Sequence, residues 1–270
     1  RDPGRLSLVQ GGRMWLGPDS KVACAEAWTL DAGSCVLQGR ELPSLLVDGA
    51  EISPVGEAEL RVEVARRTAE VDVYAGKVYI RDTRGDSLDL AAGRGVRVRR
   101  GRLGDPRPAQ LPAGLRQALA PQGQRVWAEA WDAQAKPRYG LLLGELSPEG
   151  LRGATKPIAP VERAICVAGH EARGLCAAPA GGRLYLRLVL EDRHPITLQL
   201  SSPDQSRSWR RTVEGHPGVN HVDLALDELP ALGGGAAIQA GQLLDLLSVQ
   251  AGGAGETIPL VLEYVQVYVP

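Results

Sequence analysis

GEAELRVEVARRTAEVDVYAGKVYIRDTRGDSLDLAAGRGVRV, residues 56–98, is the stretch that decides the fold of this chain. Apolar and polar residues alternate through LRVEV, EVDVYAG, KVYIRD and SLDL, and Gly or Asp residues separate these segments. An alternation with a period of two is typical of strands with one buried face. The stretch therefore predicts a run of short strands, with positive φ at turns that contain Gly76 and Gly93.

The composition is that of a globular protein without a general affinity for polyanions. The 270 residues are 44% hydrophobic and 23% charged, and the formal net charge is -1. Near neutrality gives no general electrostatic reason to bind nucleic acid or an anionic membrane. Phe is absent, so we expect cores of Leu, Val, Ile and Ala. The basic cluster VRVRRGR, residues 96–102, is interpreted as a solvated strand end, with a polyanion site as the alternative.

A segment rich in Pro, Gly and Gln divides the chain. Residues 102–124 predict a linker, and LPAGLRQALA within it is a candidate short helix. The flanking domains, residues 1–101 and 125–270, are both predicted to be all β, because short alternating segments recur between turn residues. LYLRLVLED is long and apolar enough for a central strand, and DELPAL, residues 227–232, predicts a helical turn.

The first half resembles the FecR family. The resemblance covers residues 10–100 and is most specific over 49–98, where DGAEI, GEAELRVEV, AEVDVYAGKVYIRD and SLDLAAGRGVRV follow one another in the family's order. Leu60 stands where the family usually has an aromatic residue. The resemblance implies a domain outside the cytoplasmic membrane, which in the family often relays receptor occupancy to a sigma-factor pathway.

The second half, residues 124–270, is similar to jelly-roll modules of the carbohydrate-binding or galactose-binding-like kind. The similarity rests on GRLYLRLVLEDRHPITLQLSS, SWRRTVEG, VNHVDLALDEL, IQAGQLLDLLSVQAG and ETIPLVLEYVQVYV. It implies that the C-terminal domain is a jelly-roll β-sandwich. The chain departs from the family near His221, where a Trp is usual, and at Glu263 and Tyr264, near the usual Asp pair.

Aromatic side chains are the first candidates for a sugar site, because C–H groups of a sugar stack on a ring while polar groups contact its hydroxyls. Trp127 and Trp131 are separated by an even number of residues, so a strand would place them on one face. Trp209 follows a polar loop. The alternative is that these rings lie in the core or at its edge. The candidate ligand-binding residues are Trp127, Trp131, Tyr139, Trp209 and Arg210.

The four cysteines form two close pairs, and each pair brackets a turn that contains Gly. Cys24 with Cys35 and Cys166 with Cys176 are predicted as disulfides, although four cysteines allow three connectivities. Each bond would stabilise the fold by about 2–3 kcal/mol in the chain-entropy model. Four reduced thiols are the alternative, and the spacing disfavours a zinc knuckle.

No catalytic motif marks the chain as an enzyme. It has no G-x-S-x-G elbow, no H-E-x-x-H and no Walker loop, and no carboxylate pair is marked out by its context. His216 and His221 would need a third ligand such as Asp223 to hold a metal ion. We therefore predict no enzyme, no metal and no cofactor.

The leading hypothesis is a non-catalytic module of the periplasm, cell envelope or exterior that binds a glycan or a protein partner. Without a long apolar run we expect no membrane span in this chain. The start at Arg1 fits a processed or truncated piece with an anchor upstream. The alternatives are the extracytoplasmic part of a transmembrane sigma-factor regulator and an architectural envelope protein without a small ligand.

Overall fold

The computed structural model describes residues 4–8, 12–17, 19–24, 28–110, 116, 119–131, 141–147, 149–156, 162–169, 174–253 and 255–270. They form two compact units, Arg1–Leu111 and Pro112–Pro270. Both units are built from β-strands, which confirms the predicted all-β class. Over this part of the chain, no helix has the length and apolar character needed to cross a membrane.

The first unit is one large sheet. Its described strands are β1 Gly4–Ser7, β2 Arg13–Leu16, β3 Lys21–Cys24, β4 Trp28–Gly39, β5 Leu45–Val47, β6 Ala50–Ala65, β7 Thr68–Arg81, β8 Ser87–Ala91, β9 Arg94–Arg99, β10 Arg102–Leu103 and β11 Arg107–Pro108. The central path runs β1-β2-β4-β5-β6-β7-β9-β10, and β3, β8 and β11 pair with β4, β7 and β9.

Two long strands, β6 and β7, form the spine of this unit, and both bend at the same level. The register shifts between Val55 and Glu59 on β6, opposite Gly76 on β7. Gly76 has a φ of 73°, and a Cβ atom there would lie 2.1 Å from the carbonyl oxygen of Glu57. EVDVYAG and KVYIRD are therefore parts of one bent strand and not two strands joined by a turn. Gly93 has a φ of 77° in a turn, as predicted.

Residues on both sides of Gly76 contribute to one aliphatic core. Val71 and Val73 before the bend belong to the same buried cluster as Val78 and Ile80 after it. Burial of these side chains is the main stabilising contribution to the unit. The members of the cluster are almost all Leu, Val, Ile and Ala, which confirms the core composition predicted for a chain without Phe.

The second unit is a β-sandwich. Its described strands are β12 Gln124–Ala130, β13 Leu141–Leu143, β14 Glu145–Ser147, β15 Gly150–Arg152, β16 Ala154–Thr155, β17 Arg163–Ala168, β18 Cys176–Ala177, β19 Arg183–Leu190, β20 Pro195–Ser201, β21 Ser208–Glu214, β22 Gly218–Ala225, β23 Leu243–Leu244, β24 Leu246–Ala251 and β25 Leu260–Val269. One sheet has the order β14-β15-β25-β19-β22 with β12 beside β25, and the other has the order β13-β17-β24-β20-β21 with β16 beside β17.

The core of this unit lies between the two sheets. Leu186 and Val265 from the first sheet and Leu198 and Val249 from the second belong to one buried cluster. The strand β19 lies between β25 and β22, so the prediction of a central strand for LYLRLVLED is confirmed. The predicted helical turn overlaps two short 3-10 segments, Leu226–Glu228 and Leu232–Gly234.

The segment predicted as a linker, residues 102–124, contributes to both units. On its N-terminal side, β10 and β11 pair with β9 and extend the first sheet. On its C-terminal side, Leu119 and Ala120 are buried in the second unit. Most of the candidate helix over residues 111–120 lies outside the described residues.

Candidate functional site

The outer face of the β13-β17-β24-β20-β21 sheet carries polar side chains at regular positions. On β20, Ile196, Leu198 and Leu200 are buried, whereas Thr197 and Gln199 are partly exposed. Strand β24 repeats this alternation, with Leu247 and Val249 buried while Ser248 and Gln250 are partly exposed. Since successive side chains point to opposite faces, the core residues force the polar ones outward.

The strand register joins these side chains into rows. One row runs through Cys166, Ser248, Gln199 and Arg210 on four neighbouring strands. Within it, Arg210 Nη2 donates to Gln199 Oε1 at 2.8 Å, and Cys166 Sγ donates to Ser248 Oγ at 3.5 Å. The next row runs through Gln250, Thr197 and Thr212.

A charged pair closes one side of this face. Lys156 Nζ donates to Gln250 Oε1 at 2.6 Å and to Glu162 Oε2 at 3.0 Å, and the backbone N–H of Gly255 donates to Glu162 Oε1 at 3.0 Å. The Gly255 bond first, and Lys156 second, hold the pKa of Glu162 below its usual value of 4.5. Glu162 is therefore ionised at neutral pH.

Together these residues line a groove of about 290 Å³, which we call the polar groove. Its described lining residues are Lys156, Glu162, Thr197, Gln199, Arg210, Ser248, Gln250, Gly252 and Gly253. This volume lies near the lower end of the range of ligand pockets. Amides, hydroxyls and cationic donors line it, and none of its described lining residues has an aromatic ring.

Of the predicted ligand residues, Arg210 is part of the polar groove, whereas Trp131 and Trp209 are not. These two rings are 2% and 1% exposed and belong to the core of the sandwich. Trp209 occupies an inward position opposite Leu200, and its Nε1 donates to the carbonyl oxygen of Ala236 at 2.9 Å. Neither ring can stack on a ligand from solvent, so the core alternative is correct for both.

Trp127 lies in the other sheet, away from the polar groove. It is opposite Val267 on β25, is partly buried and packs against the same core as Trp131. Both rings are therefore directed toward the core, although Trp131 follows the end of β12. A shallow cavity of about 370 Å³ borders Trp127 and Tyr264. Tyr139 lies outside the described residues.

The predicted disulfides are not formed in this structure. All four cysteines are free. Cys24 on β3 lies opposite Trp28 on β4. Cys35 is also on β4, about 20 Å further along that strand than Trp28. A disulfide needs Cα atoms within about 7 Å of each other. Cys166 lies opposite Ser248, while Cys176 lies opposite Leu244 in a separate pair of short strands.

Burial also makes two of the thiols poor nucleophiles. It raises the pKa of Cys35 to about 12 and the pKa of Cys176 to about 11. A thiolate is the reactive form of cysteine, so both side chains behave as packing groups at neutral pH.

His221, one of the two histidines considered for a metal site, belongs to a hydrogen-bond network on the outer face of the β19-β25 sheet. His221 Nδ1 is 2.7 Å from the hydroxyl of Tyr185, and the buried Arg187 Nε donates to Glu263 Oε2 at 2.6 Å. Asp223 accepts hydrogen bonds from Tyr268 and Arg183. Among the residues with described positions, no group of three or more His, Cys, Asp or Glu could hold a metal ion.

Most residues of the polar groove were not singled out from the sequence. PITLQLS and LLSVQA do alternate, so their polar residues were identifiable as outward-facing. The alternation within one strand does not reveal which strands are neighbours. Only the register places Gln199 between Ser248 and Arg210.

No protein-family model and no curated protein matches the chain. Similar solved structures include a Parabacteroides distasonis protein with a provisional assignment as an anti-sigma factor, at 12% identity and a TM-score of 0.37, covering 48% of this chain and 64% of that chain. The family 11 carbohydrate-binding module of a Clostridium thermocellum cellulosomal cellulase has 6% identity and a TM-score of 0.34, covering 54% and 96%.

A third structure, of carbohydrate-binding modules from the β-sandwich superfamily, has 8% identity and a TM-score of 0.32, covering 99% of this chain and 98% of that chain. The present chain spans slightly less than two thirds of the anti-sigma factor's length. At these TM-scores the likenesses support no conclusion about function.

Proposed function

We propose that this protein is a non-catalytic binding protein whose second unit binds a glycan in the polar groove. The observation that carries the proposal is the chemistry of the lining residues. Gln, Thr and Ser side chains both donate and accept hydrogen bonds, as sugar hydroxyls do. Thr197, Gln199, Ser248 and Gln250 present such groups side by side on one exposed face.

The scaffold under these groups is rigid, which favours specific binding. Strands β20 and β24, which carry Thr197, Gln199, Ser248 and Gln250, each pair with a strand on both sides, so the backbone of these residues is held in place. Adjacent strands are spaced about 4.8 Å apart, which sets a fixed pattern of donors and acceptors across the sheet. Gln199 orients the guanidinium of Arg210, because Nε and Nη2 of Arg210 both donate to Gln199 Oε1. The guanidinium has five N–H donors in total. The remaining donors suit ligand hydroxyls.

The charge pattern supports binding and not hydrolysis. Glycoside hydrolysis generally needs two carboxylates about 5–10 Å apart, one of them protonated. Of the described residues that line the groove, Glu162 is the one carboxylate, and its lowered pKa keeps it ionised. Lys156 and Gly255 already occupy its oxygens, so its role is to fix the wall of the groove.

We also propose that the protein acts outside the cytoplasm. This rests on the resemblance of residues 49–98 to the FecR family and not on the cysteines. The same resemblance favours a second candidate function, the extracytoplasmic part of a sigma-factor regulator. Fractionation of native cells and protease treatment of intact cells test the compartment, and recovery in the cytoplasmic fraction would exclude both forms of the proposal.

The test of glycan binding uses the full chain on an array of neutral polysaccharides and oligosaccharides, followed by titration calorimetry with each hit. Arg210→Ala should lower the affinity about tenfold or more, since a hydrogen bond to a charged group contributes about 1.5–3 kcal/mol. Gln199→Ala should lower it too, because Gln199 orients Arg210.

Arg211→Ala is the matched control. Arg211 is exposed on the same strand but lies opposite Leu198, which faces the core, so its side chain is directed away from the groove. Its removal should leave the affinity unchanged. Equal losses in the Arg210 and Arg211 variants, or no binding to any glycan, would contradict the proposal.

A further inference from the structure

Two neighbouring hairpin turns in the first unit carry arginines. Arg66 and Arg67 form the two-residue turn between β6 and β7, since Ala65 pairs with Thr68. Arg100 and Gly101 form the turn between β9 and β10. The backbone N–H of Arg100 donates to the carbonyl oxygen of Arg67 at 3.3 Å, so the two turns lie side by side.

The backbone of these turns does not favour arginine. Arg66, Arg67 and Arg100 have φ values of 48°, 63° and 51°. Two-residue hairpin turns with positive φ at both positions prefer Asn-Gly or Asp-Gly, because other side chains are disfavoured there. Local turn propensity therefore does not account for arginine at these three positions.

The arginines surround a surface cavity of about 350 Å³ with a strong excess of positive charge. Its described lining residues are Arg66, Arg67, Thr68, Glu70, Arg97, Arg99 and Arg100. Glu70, its acidic member, is already engaged, since it accepts hydrogen bonds from Arg97 at 2.6 Å and from Arg107 at 3.0 Å. In the part of the chain that the structure describes, Arg66, Arg67, Arg99 and Arg100 form no ion pair.

We propose that Arg66, Arg67, Arg99 and Arg100, which we call the arginine cluster, bind an acidic polysaccharide through its carboxylate or sulfate groups. The planar guanidinium fork matches such anions with two hydrogen bonds each. Several guanidinium groups on two adjacent turns suit a ligand with repeated negative charges. This site lies in the first unit and depends on charge, so it goes beyond the neutral-glycan site proposed for the second unit.

The surroundings of the cluster favour a polysaccharide over a single-stranded nucleic acid or a membrane surface. Single-stranded nucleic acids are bound with aromatic rings that stack on bases, and the described lining of this cavity contains no aromatic residue. A membrane-surface site usually adds apolar side chains that enter the lipid, and the described lining residues are polar or charged.

The experiment measures binding of the full chain to polygalacturonate, to dextran sulfate and to uncharged dextran over a range of salt concentrations. The first two probes separate carboxylate from sulfate recognition. We expect binding to at least one of them, no binding to dextran at this site, and an affinity that falls as salt rises. The double variant Arg66→Asn/Arg67→Gly should lose at least about tenfold in affinity and show a weaker salt dependence.

This double variant places Asn-Gly in the turn, so it should fold at least as stably as the wild type. Arg100→Asn provides a second variant, since it creates Asn-Gly in the neighbouring turn. Arg13→Gln/Arg84→Gln is the charge-matched control, because both residues are exposed in the first unit but do not line the cavity. The control should bind like the wild type.

Three results would overturn the proposal: no binding to either acidic polymer, equal losses in the turn variant and in the control, or tighter binding to duplex DNA or phosphatidylserine vesicles at the same salt concentration. Affinity for a neutral glycan should be unchanged in the Arg66→Asn/Arg67→Gly variant. That measurement separates failure at the arginine cluster from failure at the polar groove.

Discussion

Asp72 Oδ1 accepts a hydrogen bond of 2.6 Å from Arg107 Nη1 on β11, the short strand that pairs with β9 near the end of the first unit. The Asp72 side chain is fully buried and also accepts hydrogen bonds from the backbone N–H of Gln110 and from Arg61. A Cβ atom at Gly95 would lie 2.4 Å from Asp72 Oδ1, so glycine is required beside this pair. Asp72 thus anchors β11 and the residues after it.

Replacing Asp72 should destabilise the first unit strongly. Asp72→Ala leaves the guanidinium groups of Arg61 and Arg107 without their buried partner, and breaking a buried ion pair costs about 3–5 kcal/mol. The free energy of unfolding from denaturant titration checks this. Asp89→Asn removes an exposed ion pair with Lys77 and should cost less than about 1 kcal/mol. Similar costs for the two variants would contradict the assigned role.

Two glycines with nearly the same φ should differ in their response to alanine. Gly93→Ala places a Cβ in open space, so it should cost only the backbone penalty of about 1–2 kcal/mol. Gly76→Ala adds a clash with the Glu57 carbonyl oxygen and should cost about 3 kcal/mol or more. Denaturant titration of both variants makes the comparison, and equal costs would argue against the bend at Gly76.

The stability of the first unit should fall in acid through Glu70. The Arg97 hydrogen bond first, with Arg107 adding to it, lowers the pKa of Glu70 below its usual value of 4.5. Because the pKa is lower in the folded state, the stabilisation is complete above the unfolded pKa and is lost as the pH falls through the folded one. Unfolding titrations between about pH 6 and about pH 3 should show a smaller acid loss for Glu70→Gln than for the wild type.

Glu41→Gln is the control for this pH experiment. Glu41 is an exposed carboxylate that forms no ion pair within the described residues. Its variant should keep the acid sensitivity of the wild type. An unchanged acid loss in Glu70→Gln would show that other groups govern the pH dependence.

All four cysteines should react with a thiol reagent after denaturation without reductant. In the native protein the exposed Cys24 should react quickly, whereas Cys35 should be protected by burial and by its raised pKa of about 12. Mass spectrometry of labelled protein from the native source counts the thiols and locates them. Recovery of two or fewer free thiols would restore the disulfide prediction.

Trp209 should act on stability and not directly on ligand binding. Trp209→Ala empties a fully buried site and removes the hydrogen bond to Ala236, with an expected cost of about 3–5 kcal/mol. Trp127→Ala should cost less, because Trp127 is partly exposed at the margin of the core. Thermal and denaturant unfolding of both variants tests the order. An unchanged free energy of unfolding for Trp209→Ala would contradict the core role of Trp209 and would favour a role in ligand binding.

Strand positions were largely predictable from the sequence, whereas strand lengths were not. The long apolar run LYLRLVLED predicted β19, and the alternating segment PITLQLSS predicted β20, because strand propensity and side-chain direction are local properties. Gly76 was interpreted as a turn, since positive φ is common to turns and strand bends. Only the pairing of β6 with β7 shows that the chain continues through it as one strand.

The predictions that differ from the structure at the tryptophans and the cysteines share one cause. An even spacing places Trp127 and Trp131 on one face but does not say whether that face is covered. The spacing of Cys24 and Cys35 suggested a clipped loop, but the two thiols lie far apart along β3 and β4. Burial and proximity depend on residues distant in the chain, which local patterns do not contain.

The sequence alone determined the all-β class, the aliphatic cores and the outward positions of polar residues, because period-two alternation and turn chemistry act over a few neighbouring residues. Only the tertiary structure decided which outward residues meet. Gln199 lies between Ser248 and Arg210, and Arg67 lies beside Arg100, through hydrogen bonds between strands that are remote in the chain. Both proposed sites arise from that register.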